Sequence, residues 1–199
     1  MYDFFDLNRE LDEKSETVKS VRRALNYLDL VFPSQTPELD RNTWIVDLFL
    51  LVSDLREHYV MDGREKDLHD FFVSFWQDVE NARRTSGGEK GIVDFAFASS
   101  SGTTGKTRIV KRFAIIKQHF LMKYPNLVLL DPKREFDYYE KVVVFRRDKG
   151  ICQSCSKKVE WKDYEADHIY PHSKGGQTRI ENGQVLCGSC NSSKGAKVP

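Results

Sequence analysis

Four cysteines stand in this chain of 199 residues, and they come as two pairs, Cys152/Cys155 and Cys187/Cys190. A two-residue spacer lets both thiolates of a pair face one ion, and two such pairs supply the four soft ligands of a tetrahedral zinc site. Between the pairs lie Asp167 and His168; Asn182 follows, and Asn191 comes directly after the last cysteine. An aspartate next to a histidine joins a hard oxygen ligand to a side chain that takes a proton near neutral pH. The residue types therefore describe two sites in one short segment, a thiolate clamp around a hydrolytic centre.

The physical demands of phosphodiester hydrolysis fit the second site. A phosphodiester anion repels hydroxide, so the site must bring positive charge and a base together. A neutral imidazole takes a water's proton at cellular pH. A carboxylate and an amide oxygen suit Mg²⁺, whereas thiolates do not, so two metals would sort by ligand softness. Competing readings of the cysteines are core thiols or a redox pair. A second matching pair argues against both.

Gly150-Ile151-Cys152-Gln153-Ser154-Cys155, Asp167-His168-Ile169-Tyr170-Pro171-His172-Ser173-Lys174-Gly175-Gly176 and Glu181-Asn182 through Cys187-Gly188-Ser189-Cys190-Asn191-Ser192-Ser193-Lys194-Gly195 together resemble an HNH endonuclease of the four-cysteine zinc type. The resemblance implies a ββα-metal fold over residues 150–199. Its first strand would carry Asp167 and His168, its second would run near Gln184–Leu186, and its helix would start around Asn191. It further implies His168 as general base, Asp167 and Asn191 as ligands of one divalent cation, Mg²⁺ or similar, and Asn182 as the residue orienting the loop behind His168. Structural Zn²⁺ would sit on Cys152, Cys155, Cys187 and Cys190. DNA is the implied substrate, with Lys174, Arg179 and Lys194 as candidate phosphate contacts. His172 reads as a loop residue.

The elements that position this segment are mostly helical, giving an α+β chain: a helical domain over 1–90, a linking region over 91–135 with a basic helix, and the HNH module over 136–199. Val18, Val21, Leu25 and Leu28 recur at helical spacing within residues 10–31, and Asn42 or Thr43 could cap a second helix burying Trp44, Leu48, Leu51, Val52 and Leu55. Leu68, Phe71, Phe72, Phe75 and Val79 mark the core stripe of a third, over 64–84. Residues 92–97 fit a strand or a short helix. Residues 106–123 have helical periodicity through Ile109, Phe113, Ile116 and Phe120, and 135–147 read as a last helix.

Lys106, Arg108, Lys111, Arg112, Lys117 and Lys123 come with no acidic residue between Phe95 and Leu130. Arg108, Lys111 and Arg112 would share one face, which could track a DNA backbone; the bland alternative is a solvated helix face. Ser100–Thr107 nearly spells a phosphate-binding loop, but Ser100 stands where the first glycine is needed. The chain also lacks the strand–helix alternation of a nucleotide-binding sheet. Residues 1–145 resemble the helical segment that precedes HNH modules in some large bacterial restriction and phage-defence proteins, carried by Asp131-Pro132-Lys133-Arg134-Glu135-Phe136 and the basic helix. That would make the chain a piece of a longer defence protein, or a homodimer where both strands are cut.

The net charge is +1, but residues 138–199 carry 11 Lys and Arg against 7 Asp and Glu, a modestly basic module whose attraction to DNA would be salt-sensitive. No apolar run reaches the length of a membrane span; the densest, 45–52, is broken by Asp47. Reduced cysteines in zinc pairs fit a cytoplasmic setting. The reading is a metal-dependent DNA endonuclease; the alternative is a zinc ribbon that holds DNA or protein without cutting.

Overall fold

The computed structural model describes residues 15–34, 36–39, 42–100 and 104–199. Seven α-helices and a two-stranded sheet are present among them, so the chain is mostly helical, as expected. It divides into two compact units, one of residues 1–56 and 63–125, the other of 57–62 and 126–199. Among the described residues no helix is long and apolar enough to cross a membrane.

The first unit is built from five helices: α1 (Glu16–Val31), α2 (Asn42–His58, whose last residues pass into the second unit), α3 (Glu65–Thr85), α4 (Lys90–Ala98) and α5 (Lys106–Lys123). Ser15 caps α1 by accepting from the Val18 amide; the expected start near residue 10 lies outside the described residues. The stripe on α1 is corrected. Ala24, Tyr27 and Val31 are buried, whereas Val21 and Leu25 are exposed. Helical spacing gives two candidate stripes here, and the face that finds partners wins: Tyr27 lies under the Arg56 guanidinium, 4.7 Å away.

The expected stripes of α2 and α3 are buried in full. They make an aromatic core in which Trp44 stacks on Phe95 at 5.2 Å and meets Phe72 edge-on at 5.5 Å. Edge-to-face packing of this kind adds to the area term in holding a core. Residues 92–97 are helix, not strand. Glu89 accepts from the amides of Gly91 and Ile92, satisfying N-terminal donors, and Ile92, Phe95 and Ala96 then fall on one buried face. Of the residues resembling a phosphate loop, 101–103 lie outside the described ones.

The second unit holds the module. Asp137 and Glu140 form a capping box, so α6 runs Tyr138–Arg147 and starts three residues later than periodicity suggested. Strands β1 (Tyr164–His168) and β2 (Gly183–Cys187) pair antiparallel, with Asp167 opposite Gln184 and His168 opposite Gly183. Helix α7 (Gly188–Lys194) packs on both strands. This is the expected ββα order, with α7 beginning three residues before Asn191. A small core of Val144, Cys152, Val159, Val185 and Leu186 lies between α6, the first cysteine pair and β2. The segment 126–130 bridges back to 59–60: the Val60 amide donates to Val128 O and the Leu130 amide to His58 O.

Candidate active site and metal centre

The first cysteine pair sits in a tight turn. Ile151 and Lys158 bridge, the Cys152 amide donates to Lys157 O, and Ser156 takes a left-handed φ of 59° to close it. The Gln153 amide donates to Val185 O, which fastens this turn to β2. The second pair spans a strand-to-helix junction: Cys187 ends β2 and caps α7, and Cys190 lies within α7. All four sulfurs fall within 4.8 Å of one another, and all four cysteines are free thiols. A tetrahedron of Zn–S bonds places its sulfurs about 3.8 Å apart; Cys155 and Cys187 are at 3.9 Å. The donor set and spacing fit one metal ion.

The electrostatics point the same way. The Ser189 hydroxyl and the Cys190 amide pull the Cys187 thiol down to about 6. For Cys190 a hydrogen bond with Ser154 pulls down, but the neighbouring sulfurs of Cys187 and Cys155 outweigh it and push the thiol up to about 11. Burial raises Cys152, yet the amides around it lower it on balance. Four sulfurs this close resist ionising together, and a shared cation removes that conflict.

The Asp-His pair closes β1. Asp167 Oδ2 accepts from Gln184 Nε2 at 3.0 Å and from the Lys194 ammonium at 2.8 Å. Lys194 also donates to His168 O at 2.7 Å. It lies three residues after Asn191 on α7, but its ammonium turns inward onto the strand end and is mostly buried. The Asp167 carboxylate, 2.8 Å away, holds the ammonium in a charge-assisted hydrogen bond.

His168 is half-buried. Its Nε2 lies 2.9 Å from Thr178 Oγ1, and its ring packs against Phe136 with centroids 4.7 Å apart. Burial, then the nearby His172, lowers its pKa, with Asp167 opposing, which favours the neutral ring. Gly183 is needed across from it, because a Cβ there would come within 2.8 Å of Val144 and 3.1 Å of Phe136.

The loop behind His168 hangs on Asn182. Its Oδ1 accepts from the Tyr170 amide at 2.8 Å, and its Nδ2 donates to Tyr170 O and Gln177 O at 3.1 and 2.8 Å. The loop is so tight that a Cβ on Gly176 would sit 1.9 Å from Tyr170 O.

A family model described as HNH endonuclease matches residues 152–197. The C-terminal part of this chain carries an HNH endonuclease domain. The match points to a nuclease with DNA as its substrate and a divalent cation in its chemistry. No curated protein and no solved structure gives a significant match.

Some residues around the HNH domain were given no part in the site by sequence reasoning. Asp131 Oδ2 accepts from the Thr178 amide and Oδ1 from the Lys133 amide, and these bonds hold its carboxyl below the usual range. Asp131 O accepts from His172 Nε2 at 2.7 Å, so His172 is a strut within the loop. Gln184 could have been found from strand register alone. Thr178 and Asp131 could not, because the bond that joins them spans 47 residues.

The DNA-facing candidates divide. Arg179 is exposed; Lys174 lies 3.8 Å from Asp62. On α5 the expectation fails at Arg112. It is 1% exposed, and its Nε donates to both oxygens of Asp47, at 2.8 and 3.0 Å, with Asp47 0% exposed. Arg112 also donates to Ala98 O. Lys111 pairs with Asp94 at 3.3 Å, Lys117 with Asp54 at 2.7 Å, and Arg108 lies over the Phe97 ring. The helix lacks acids of its own because other helices supply them. Phe113, expected in the core, is only half-buried and lines an apolar groove with Val110, Leu121 and Met122.

Proposed function

We propose that this chain is a metal-dependent endonuclease that hydrolyses DNA phosphodiester bonds. The observation that supports this best is Asp167-His168 at the end of β1 inside a four-cysteine clamp, within a segment matching the HNH family. Zn²⁺ on Cys152, Cys155, Cys187 and Cys190 would be structural, tying the first turn to the β2–α7 junction. Asp167 and Asn191 would hold the catalytic cation, for which Mg²⁺ suits the donors. When bound, that cation supplies charge stabilisation to the scissile phosphate and the departing 3′ oxygen. His168 is the general base, neutral because it is half-buried, and it removes the proton of the attacking water. Asn182 keeps the following loop closed, so that the ring does not swing. Lys194 neutralises Asp167 and braces the backbone at His168.

One such site cuts one strand, so a single chain nicks and a double-strand break needs two copies. Restriction of foreign DNA or phage defence in the cytoplasm is the setting we favour, from the resemblance of the N-terminal segment. The reading is tested by incubating the purified chain with supercoiled plasmid and Mg²⁺, beside the variants His168→Ala and Asp167→Ala. Wild type should nick. His168→Ala should lose ~10²–10⁴-fold in rate with DNA affinity kept, and raised Mg²⁺ should partly rescue Asp167→Ala alone. A wild-type protein that binds DNA but cuts nothing with any divalent cation belongs to the zinc-ribbon alternative.

A further inference from the structure

We infer that Thr178 is a positioning residue that fixes which nitrogen of His168 takes the proton, making Nδ1 the acceptor. The inference rests on His168 being the base.

A threonine hydroxyl has one hydrogen to donate and lone pairs to accept with. Thr178 Oγ1 lies against two groups, Lys133 O and His168 Nε2. A backbone carbonyl only accepts, so the hydroxyl hydrogen is committed to Lys133 O. Towards His168 the same oxygen must then accept, and Nε2 must carry a hydrogen. A neutral imidazole has one N–H and one lone pair, which places the lone pair on Nδ1. Among the described residues Nδ1 makes no hydrogen bond, so it is available to a water.

The device is rigid. Thr178 is buried, its amide donates to Asp131 Oδ2 at 2.8 Å, and Asp131 Oδ1 in turn accepts from the Lys133 amide at 2.9 Å. One carboxylate thus holds both the hydroxyl and the carbonyl that orients it. Phe136 lies against the ring at 4.7 Å from the same lead-in. The site consequently extends ahead of the matched segment, to residues 131–136. Reversing the tautomer would take the hydroxyl hydrogen from Lys133 O and cost that carbonyl its donor from Thr178.

The test uses the full zinc-loaded chain and the variants Thr178→Val, Thr178→Ala and Thr178→Ser, each checked for zinc content and melting temperature. The ¹⁵N resonances of the His168 ring report the tautomer without any turnover. Wild type and Thr178→Ser should show a hydrogen on Nε2; Thr178→Val and Thr178→Ala should show a mixture. In Mg²⁺-dependent nicking, kcat should fall about tenfold in the Val and Ala variants, with DNA affinity unchanged, and Thr178→Ser should restore it to within about threefold. A wild-type ring with its hydrogen on Nδ1, or Val and Ala variants with unchanged tautomer and kcat, overturns the inference. So does a Ser variant as slow as Val. If wild type cuts nothing while its ring has the hydrogen on Nε2, the nuclease reading fails and the tautomer lock stands.

Discussion

Arg112 is where sequence and structure make opposite forecasts, so Arg112→Gln separates them. A cation on a DNA-tracking face would weaken binding when removed and reduce the salt slope by about one unit. A buried partner of Asp47 would instead unfold the first unit. The glutamine leaves a 0% exposed carboxylate without its guanidinium, which donates to both of its oxygens at 2.8 and 3.0 Å, and removes the guanidinium donor from Ala98 O. Removing one partner of a buried pair costs about 3–5 kcal/mol, a large share of the roughly 5–15 kcal/mol that holds a domain together. At about 3–4 °C per kcal/mol for a unit of this size, the melting temperature should drop by roughly 10–20 °C. Replacing both partners, Asp47→Leu with Arg112→Met, should return most of the loss, since an apolar pair removes the buried charge along with its partner. The assay is differential scanning calorimetry of the full chain, paired with DNA affinity measured across a salt series below the melting transition. A variant that melts within 2 °C of wild type, or that loses one unit of salt slope at full stability, refutes the core assignment.

Cys155→Ser should release zinc and unfold the HNH domain, because structural zinc supplies on the order of 10 kcal/mol to small folds; elemental analysis should find about one zinc per wild-type chain, and an intact disulfide would contradict the clamp. Asn182→Ala removes three hydrogen bonds from the loop behind His168, so amide exchange at Tyr170 should speed up and nicking slow by about tenfold or more, with zinc retained; unchanged exchange would mean the loop closes without it. The amides of Thr178 and Lys133 hold the Asp131 carboxyl below 3.8, so its stabilising effect is present above 3.8 and lost as pH falls through the lower folded value. The Thr178 amide resonance should therefore titrate with a midpoint below 3.8 in wild type and show no such step in Asp131→Asn; a midpoint at or above 3.8 would remove the bond's role.

The second unit was legible because its chemistry is local. Cys-x-x-Cys pairs and an Asp-His step are set by spacing of a few residues, and the two strands and the helix around them were implied by the resemblance that those residues carry. The aromatic stripes of α2 and α3 were legible for the same reason, since 3.6-residue periodicity is a property of one helix. What sequence could not decide was which partner each side chain meets. On α1 periodicity offered two stripes, and packing buried the one through Tyr27. On α5 a run free of acids read as a cationic or solvated face, yet Asp94, Asp47 and Asp54, all from other elements, pair with Lys111, Arg112 and Lys117. Around His168 the same holds with more consequence. His168 was visible in the chain, but the contacts around its ring come from Thr178 and from Lys133 and Asp131, residues more than 40 positions before it. Ligand type and spacing are written in the chain; proton placement and charge pairing are settled only when distant segments share a few ångströms of buried space.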